Sequence, residues 1–317
     1  MSVTTDVSVA VAALSQGKLC AIPTETVYGL AANALDPAAV ARVFEAKERP
    51  ADHPLIVHVA SAKDVAQWIT NLPQWAMTLI EQVWPGPLTI VGSRTALASD
   101  AVTGGQDTVA VRVPSHPIAQ KVLNEVKANG VLGLVAPSAN RFGHVSPTSS
   151  RHVVADLGQY LDTHQDLILE GGECQVGLES TIVLAVDEFP VILRPGAITS
   201  DDILRITGIA VAESLSAVPR VSGALDSHYS PIAKVVLITD PAQIDQTNAG
   251  FLALVEIDTP SGVHRLAAPR NLEEYAHQLY SALRSADDLS LETIYVIPPS
   301  GTGLAQAIND RLQRAAY

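Results

Sequence analysis

The chain has 317 residues, 47% of them hydrophobic and 17% charged, with 20 Lys plus Arg against 33 Asp plus Glu. That length supports a sizeable core and two domains, and so apolar a composition excludes a disordered chain. A formal net charge of −13 excludes a general nucleic-acid clamp, which needs a basic surface, and leaves room for a local cluster of cations facing a small anion.

The first 17 residues read as an amphipathic helix, with Val7, Val11 and Leu14 on one face and Gly17 as its stop. The stretch lacks the basic region of a signal peptide, and no apolar run approaches the roughly 20 residues that cross a bilayer. Cys20 and Cys174 lie far apart with no C-x-x-C spacing, which fits a reducing compartment and gives no hint of a zinc site. A soluble, cytoplasmic protein is expected.

Apolar, β-branched runs bounded by Pro and Gly predict strands at 19–23, 55–60, 108–114, 131–137, 166–172, 180–186 and 190–196. Between them, Asp36 as N-cap and Pro37 in the first turn open a helix that Pro50 blocks. A second helix is stopped by Pro85, Gly86 and Pro87, and a third starts at Thr199 or Ser200 with acids in its first turn. Residues 211–231, "VAESLSAVPRVSGALDSHYSP", lack periodicity and are rich in Ser, Gly and Pro, as a linker is. After it, "AKVVLIT", "GFLALVEI" and "TIYVIPP" alternate with the helices "NLEEYAHQLYSALRSAD" and "LAQAINDRLQRAA". That alternation predicts a small three-layer α/β domain. The expected division is therefore 1–210, a linker at 211–231, and 232–317.

The chemistry-bearing residues stand out by being in the wrong place for structure alone. Lys47 ends the apolar stripe of Val40, Val43 and Phe44, where a terminal lysine also serves the helix dipole. Arg49 follows just before Pro50, so two cations leave the helix together. In "LIVHVA", Ile56 and His58 share a face; His53 lies on the other, which weakens any metal pairing. In "TVAVRVP", Val109, Val111 and Val113 take one face and Thr108, Ala110 and Arg112 the other. A strand arginine of this kind meets an anion, forms a structural ion pair or marks a sheet edge. "APSANRFGHVSPT" places Ser138, Asn140, Ser146 and Thr148 in a loop after a strand, suited to phosphate or carboxylate oxygens as well as to turns. There is no G-x-S-x-G elbow and no G-x-x-x-x-G-K-[ST] loop, and "PPSGTGLAQAIND" lacks the lysine of a phosphate loop.

Taken in order, "GKLCAIPTETVYGLAANA", "KERPADHPLIVHV", "TVAVRVPSHP", "APSANRFGHVSPT", "LESTIVL" and "ILRPGAI" resemble the YrdC/Sua5 family of threonylcarbamoyl-AMP synthases. Lys47-x-Arg49 and Ser138-x-Asn140 match the family hallmark, and "SHYSP", with His228, Tyr229 and Pro231, matches the linker of the two-domain Sua5 form. The resemblance implies an α/β (α+β) fold: a YrdC-like twisted mixed sheet with a concave cationic cavity, plus the smaller C-terminal domain. It implies a nucleotidyltransferase that makes threonylcarbamoyl-AMP from L-threonine, bicarbonate and ATP, releasing diphosphate and water. The product feeds the tRNA threonylcarbamoyl-transferase machinery that forms N6-threonylcarbamoyladenosine. Carried over by position, Lys47, Arg49, His53, Thr108, Ser138, Ser146, Arg194 and Tyr229 would hold ATP, with Lys47, Arg49, Ser138 and Asn140 at the chemistry. Thr26, His58, Arg112 and Ser180 would hold threonine. Magnesium is expected on the phosphates and water rather than in a carboxylate cage, and neither stable tRNA binding nor a membrane is expected. One departure is that "SGALDSHYSP" lacks the basic residues many relatives carry before His-Tyr. Two other readings stand beside this one. An RNA-binding or ribosome-maturation module is disfavoured by the acidity and by the 4% aromatic content. A carbamoyltransferase using carbamoyl phosphate, as in hydrogenase-maturation proteins, would carry acylphosphatase and zinc-finger-like regions that this sequence lacks.

Overall fold

A computed structural model describes residues 2–162, 165–212, 218–223 and 228–317. Ten strands form one mixed sheet: β1 (Ser2–Thr4), β2 (Cys20–Ile22), β3 (Gly29–Asn33), β4 (Ile56–His58), β5 (Leu88–Ser93), β6 (Thr108–Arg112), β7 (Leu134–Val135), β8 (Leu167–Leu169), β9 (Thr181–Leu184) and β10 (Val191–Arg194). Their order across the sheet is β1-β8-β2-β3-β7-β4-β6-β5-β9-β10. The middle strands are short and apolar because both faces are covered. One face packs Val57, Val109, Val111 and Val183 against Val40, Val43 and Phe44 of the helix Pro37–Lys47 and Leu79 and Ile80 of the helix Gln74–Val83. Toward β2, the helices Val7–Ser15 and Pro117–Ala128 cover Cys20, Ile22, Ala31 and Leu134.

The other face carries the alternate residues Ile56, Ala110, Ile182 and Leu184, joined by Val191 of β10 and Val221 of the linker. His58 and Arg112 continue that same face, opposite each other in the parallel pairing of β4 with β6. The two-residue period therefore sends aliphatic groups into the core and the polar groups to the face where the linker lies.

A second sheet of four parallel strands, β11 (Lys234–Leu237), β12 (Gly250–Leu252), β13 (His264–Ala267) and β14 (Thr293–Val296), runs in the order β11-β14-β12-β13. The helices Leu272–Asp288 and Leu304–Ala315 pack together over Val235, Leu252, Ile294 and Val296. Ile238, Phe251 and Tyr295 face the other way, under Ile244, Ile257 and Val263 from connecting segments. Of the three expected layers, the third is thus built of connections and a 3-10 turn (Pro241–Gln243).

Several elements differ in extent from expectation. The N-terminal helix begins only at Val7, because Asp6 caps it by accepting from Ser8 N at 2.8 Å, and Ser2–Thr4 pairs as a strand with Leu167–Leu169. The strand expected at 250–257 ends at Leu252, where Arg265 donates to the carbonyls of Ala253, Leu254 and Ile257 and holds the chain in a turn. The strand expected at 131–137 keeps only Leu134–Val135. Of the expected linker at 211–231, residues 213–217 and 224–227 lie outside the described residues.

Candidate active site

The helix Pro37–Lys47 starts where Asp36 accepts from Ala38 N and Ala39 N, and ends in a left-handed Glu48 (φ 49°) that turns the chain back. Lys47 is thereby driven inward, to 1% exposure. Its Nζ donates to the carbonyl of Ser138 at 2.6 Å and of Asn140 at 2.5 Å. The two halves of the hallmark, Lys47-x-Arg49 and Ser138-x-Asn140, are therefore one contact made across 91 residues. Ser138 and Asn140 enter it through their backbone, while the Asn140 amide braces the loop by donating to the carbonyls of Arg141 and His144. Burial, and then neighbouring Arg49, hold the Lys47 ammonium well below its ordinary 10.5.

Three arginines stand around the same hollow. Arg49 donates to the carbonyl of Pro54 at 3.0 Å and to Ser222 Oγ at 3.3 Å, and burial brings it down to about 10. Arg194, at the end of β10, grips the Ser180 carbonyl through Nε and Nη2 and donates through Nη1 to the Ser222 carbonyl. Arg112, at the end of β6, pairs with Glu25 at 2.7 Å and donates to Thr26 Oγ1 at 2.9 Å. Beside it, burial and then the Arg112 charge push His58 down to about 3, so its imidazole is neutral. Its Nδ1 sits 3.2 Å from the Ile56 carbonyl, an acceptor only, which places the proton on Nδ1 and leaves Nε2 as an acceptor.

Of the thirteen residues singled out in the sequence, Thr26, His58, Arg112, Ser138, Arg194 and Tyr229 line one cavity together. Lys47, Arg49, Ser146 and Ser180 each bond to a residue of its wall, and Asn140 shares the Lys47 ammonium with Ser138. Two stand farther out. Thr108 lines the adjoining hollow with Pro54, Ile56 and Ser222, and His53 rests edge-on against Phe142, whose ring also faces Arg49 and His228.

The linker reaches into this space. Val221 is buried in the aliphatic patch, the Arg220 backbone exchanges hydrogen bonds with the Gln106 amide, and Arg220 pairs with Asp52 at 2.8 Å. Tyr229 takes a left-handed turn (φ 62°), is 1% exposed and stacks on Tyr280 with ring centres 5.6 Å apart. His228 beside it is pushed down to about 3 by burial, opposed by Glu179.

Four residues important here carried no role in the sequence reading. Glu25 and Glu179 sit inside the quoted segments "PTETVYG" and "LESTIVL", masked by their neighbours. Phe142 offered no signal beyond its loop. Arg311 did offer one: it replaces an apolar residue in the stripe Ile308, Leu312 and Ala315.

Fold and site together define a large mixed sheet with a buried cationic hollow and a second domain behind it. The Sua5/YciO/YrdC family model, described as telomere recombination, matches residues 12–196. One described as threonylcarbamoyl-AMP synthase, C-terminal domain, matches residues 198–317. A threonylcarbamoyl-AMP synthase of Pyrococcus abyssi is 36% identical over 98% of this chain and 94% of its own length. One of Bacillus subtilis is 36% identical over 97% and 92%. A crystal structure of P. abyssi Sua5 complexed with L-threonine is similar with a TM-score of 0.86 and 34% identity, covering 98% of this chain and 94% of that one. The chain belongs to the Sua5/YrdC family, in its two-domain form.

Proposed function

We propose that this chain is a threonylcarbamoyl-AMP synthase, a nucleotidyltransferase that joins L-threonine, bicarbonate and ATP with release of diphosphate and water. One observation carries the reading: in an acidic protein Arg112 and Arg194 line one hollow and Lys47 and Arg49 bond to Ser138 and Ser222 of its wall, all four at most 6% exposed. Arg112 is met by Glu25, while Lys47, Arg49 and Arg194 donate to carbonyl and hydroxyl oxygens. Burying such cations is costly unless an anion meets them, and a triphosphate supplies that charge.

The work divides between the two ends of the hollow. Arg112, steadied by Glu25 and Thr26, would take the threonine carboxylate, and neutral His58 offers Nε2 to the ammonium or hydroxyl. Lys47, Arg49 and Arg194, with Ser138, Ser146, Thr108 and His53 around them, would hold the nucleotide. Ser180 lies where the ends meet, its hydroxyl between Thr89 at 2.7 Å and Arg194 at 3.2 Å. Attack of a carbamate oxygen on the α-phosphorus joins two anions as diphosphate leaves. Positioning and fixed positive charge are therefore the main aids the protein gives. Carbamates are labile in water, and Tyr229 on the linker would close the space.

Magnesium belongs to this proposal as the cation that arrives on ATP and screens its phosphates. Among the described residues no three His, Cys, Asp or Glu converge; on this proposal phosphate oxygens and water would hold the metal. The cations of the hollow lie beneath the surface, out of reach of an RNA backbone, which favours handing the product to the tRNA-modifying machinery over stable tRNA binding. Among the described residues no helix is long and apolar enough to cross a membrane, and a cytoplasmic site of action accords with the substrates.

A crystal structure with ATP, magnesium and L-threonine tests the assignment. Triphosphate density is expected against Lys47, Arg49 and Arg194, and threonine density against Arg112 and Thr26. Density for either ligand outside the hollow would contradict it.

A further inference from the structure

Glu179 is out of character in this hollow. Its carboxylate, 7% exposed, lines a cavity whose other charged lining residues are Arg112 and Arg194, where it would repel a polyanion. Yet every hydrogen bond it accepts comes from a specific donor. Oε1 accepts from Ser146 Oγ at 2.5 Å, and Oε2 accepts from Tyr280 Oη at 2.8 Å and from Arg311 Nε at 3.0 Å. Tyr280 and Arg311 do not belong to the domain that holds the cations; they come from the two C-terminal helices Leu272–Asp288 and Leu304–Ala315. Arg311 is itself 1% exposed.

The same two residues meet the linker. Tyr280 is the ring on which Tyr229 stacks, and the Arg311 guanidinium lies 5.2 Å from the centre of the Tyr229 ring. Burial alone would push the Glu179 carboxyl up, but Arg311, Arg194 and the Ser146 hydroxyl outweigh it and hold it down at about 2. The carboxylate is thus ionised at neutral pH, and its charge has to be met from within the protein.

We propose that Arg311 and Tyr280 are positioning residues for the nucleotide site: the C-terminal domain neutralises and orients Glu179, so that the hollow accepts a triphosphate. The proposal rests on reading the hollow as the ATP site. It gives the C-terminal domain a part in catalysis beyond anchoring the linker.

The account is tested on the full chain by measuring binding of ATP with magnesium, and KM and kcat for ATP and threonine. The variants are Arg311→Met, Arg311→Met combined with Glu179→Gln, and Tyr280→Phe. Methionine keeps an apolar, polarisable contact with Tyr229 while removing the charge, and Asp310 retains its pair with Arg314 at 3.0 Å. Arg311→Met is expected to raise KM for ATP about tenfold or more while threonine binding stays within about twofold. Adding Glu179→Gln is expected to recover most of that loss, because the unpaired charge is gone. A purely structural pairing of Arg311 with Glu179 would lower stability or shift the ATP and threonine parameters together, whereas the positioning role moves KM for ATP alone. Should Arg311→Met fail to fold, the double variant, which buries no lone charge, and Tyr280→Phe carry the test; Tyr280→Phe is expected to raise KM for ATP by roughly threefold. Unchanged ATP affinity in the variants that fold overturns the proposal, as does a double variant no better than the single. A wild-type chain that binds threonine but no ATP overturns the underlying reading of the hollow and this inference with it.

Discussion

Lys47 is a cation held by two backbone carbonyls in a place where water does not reach it. The sequence leaves two accounts of it, a dipole partner at a helix end or a phosphate ligand, and the structure points it inward and away from solvent. Lys47→Ala is expected to lower turnover about tenfold or more. Because it leaves the Ser138 and Asn140 carbonyls without their donor, it also costs about 1–3 kcal/mol of stability. Wild-type turnover would restore the dipole account. The direction of its pKa adds a second expectation. Burial disfavours the ammonium, and bound phosphates favour it, so ATP binding draws a proton onto Lys47 at alkaline pH. ATP affinity should therefore fall as pH rises toward 10.5, the ordinary lysine value, and calorimetry in buffers of different ionisation enthalpy should register proton uptake. An alkaline limb without slope would contradict it. Arg311 shows what a residue-level reading misses: its apolar stripe is the same signal that exposed Lys47, but the carboxylate it meets is 132 residues away and invisible in sequence.

At the scale of elements, the linker is the part that reaches the hollow, through Ser222, Gly223, His228 and Tyr229. Gly223 has φ +82°, and a Cβ there would lie 2.3 Å from the Tyr229 hydroxyl. Gly223→Ala should thus expel Tyr229 from its seat on Tyr280, lower turnover, and speed tryptic cleavage after Arg220 by roughly threefold, with threonine affinity held. Cleavage at the wild-type rate would show that Tyr229 keeps its place by other means. Legibility varied with physical cause. The helix Pro37–Lys47 could be read because Asp36, Pro37 and the apolar stripe agree. β3, "GLAAN", could not: it has no β-branched residue and is buried on both faces, which erases alternation. Gly29 suits the close approach there, since a Cβ would lie 3.0 Å from the Ala136 Cβ and 3.1 Å from its carbonyl oxygen. β13 was missed because "HRLA" is short and half-buried, and its Arg265 serves to fold the neighbouring loop.

At the scale of the whole molecule, the closed hollow makes the fold sensitive to acid. His58 and His228 are each held near 3 from an ordinary 6.5. Below 6.5 the unfolded chain takes up protons that the folded chain refuses, so stability is lost as pH falls from 6.5 toward 3, by up to roughly 1.4 kcal/mol per pH unit for each histidine. Glu179, held at about 2 from 4.5, adds a further loss between those values. Thermal melts across that range should decline steeply, and an ATP-saturated sample should resist more. A flat profile down to 4.5 would contradict the burial of these histidines. Much of the site was legible because its halves are short segments with unusual polar residues after strands, such as Arg112 and Ser138. The convergence of the C-terminal helices on Glu179 was not, since it depends on packing between distant segments.

The most direct test of the central claim is release of diphosphate from ATP by the purified chain with magnesium. Release is predicted to require L-threonine and bicarbonate together, with threonylcarbamoyl-AMP appearing in equal amount by mass spectrometry. Equal release without threonine would contradict it.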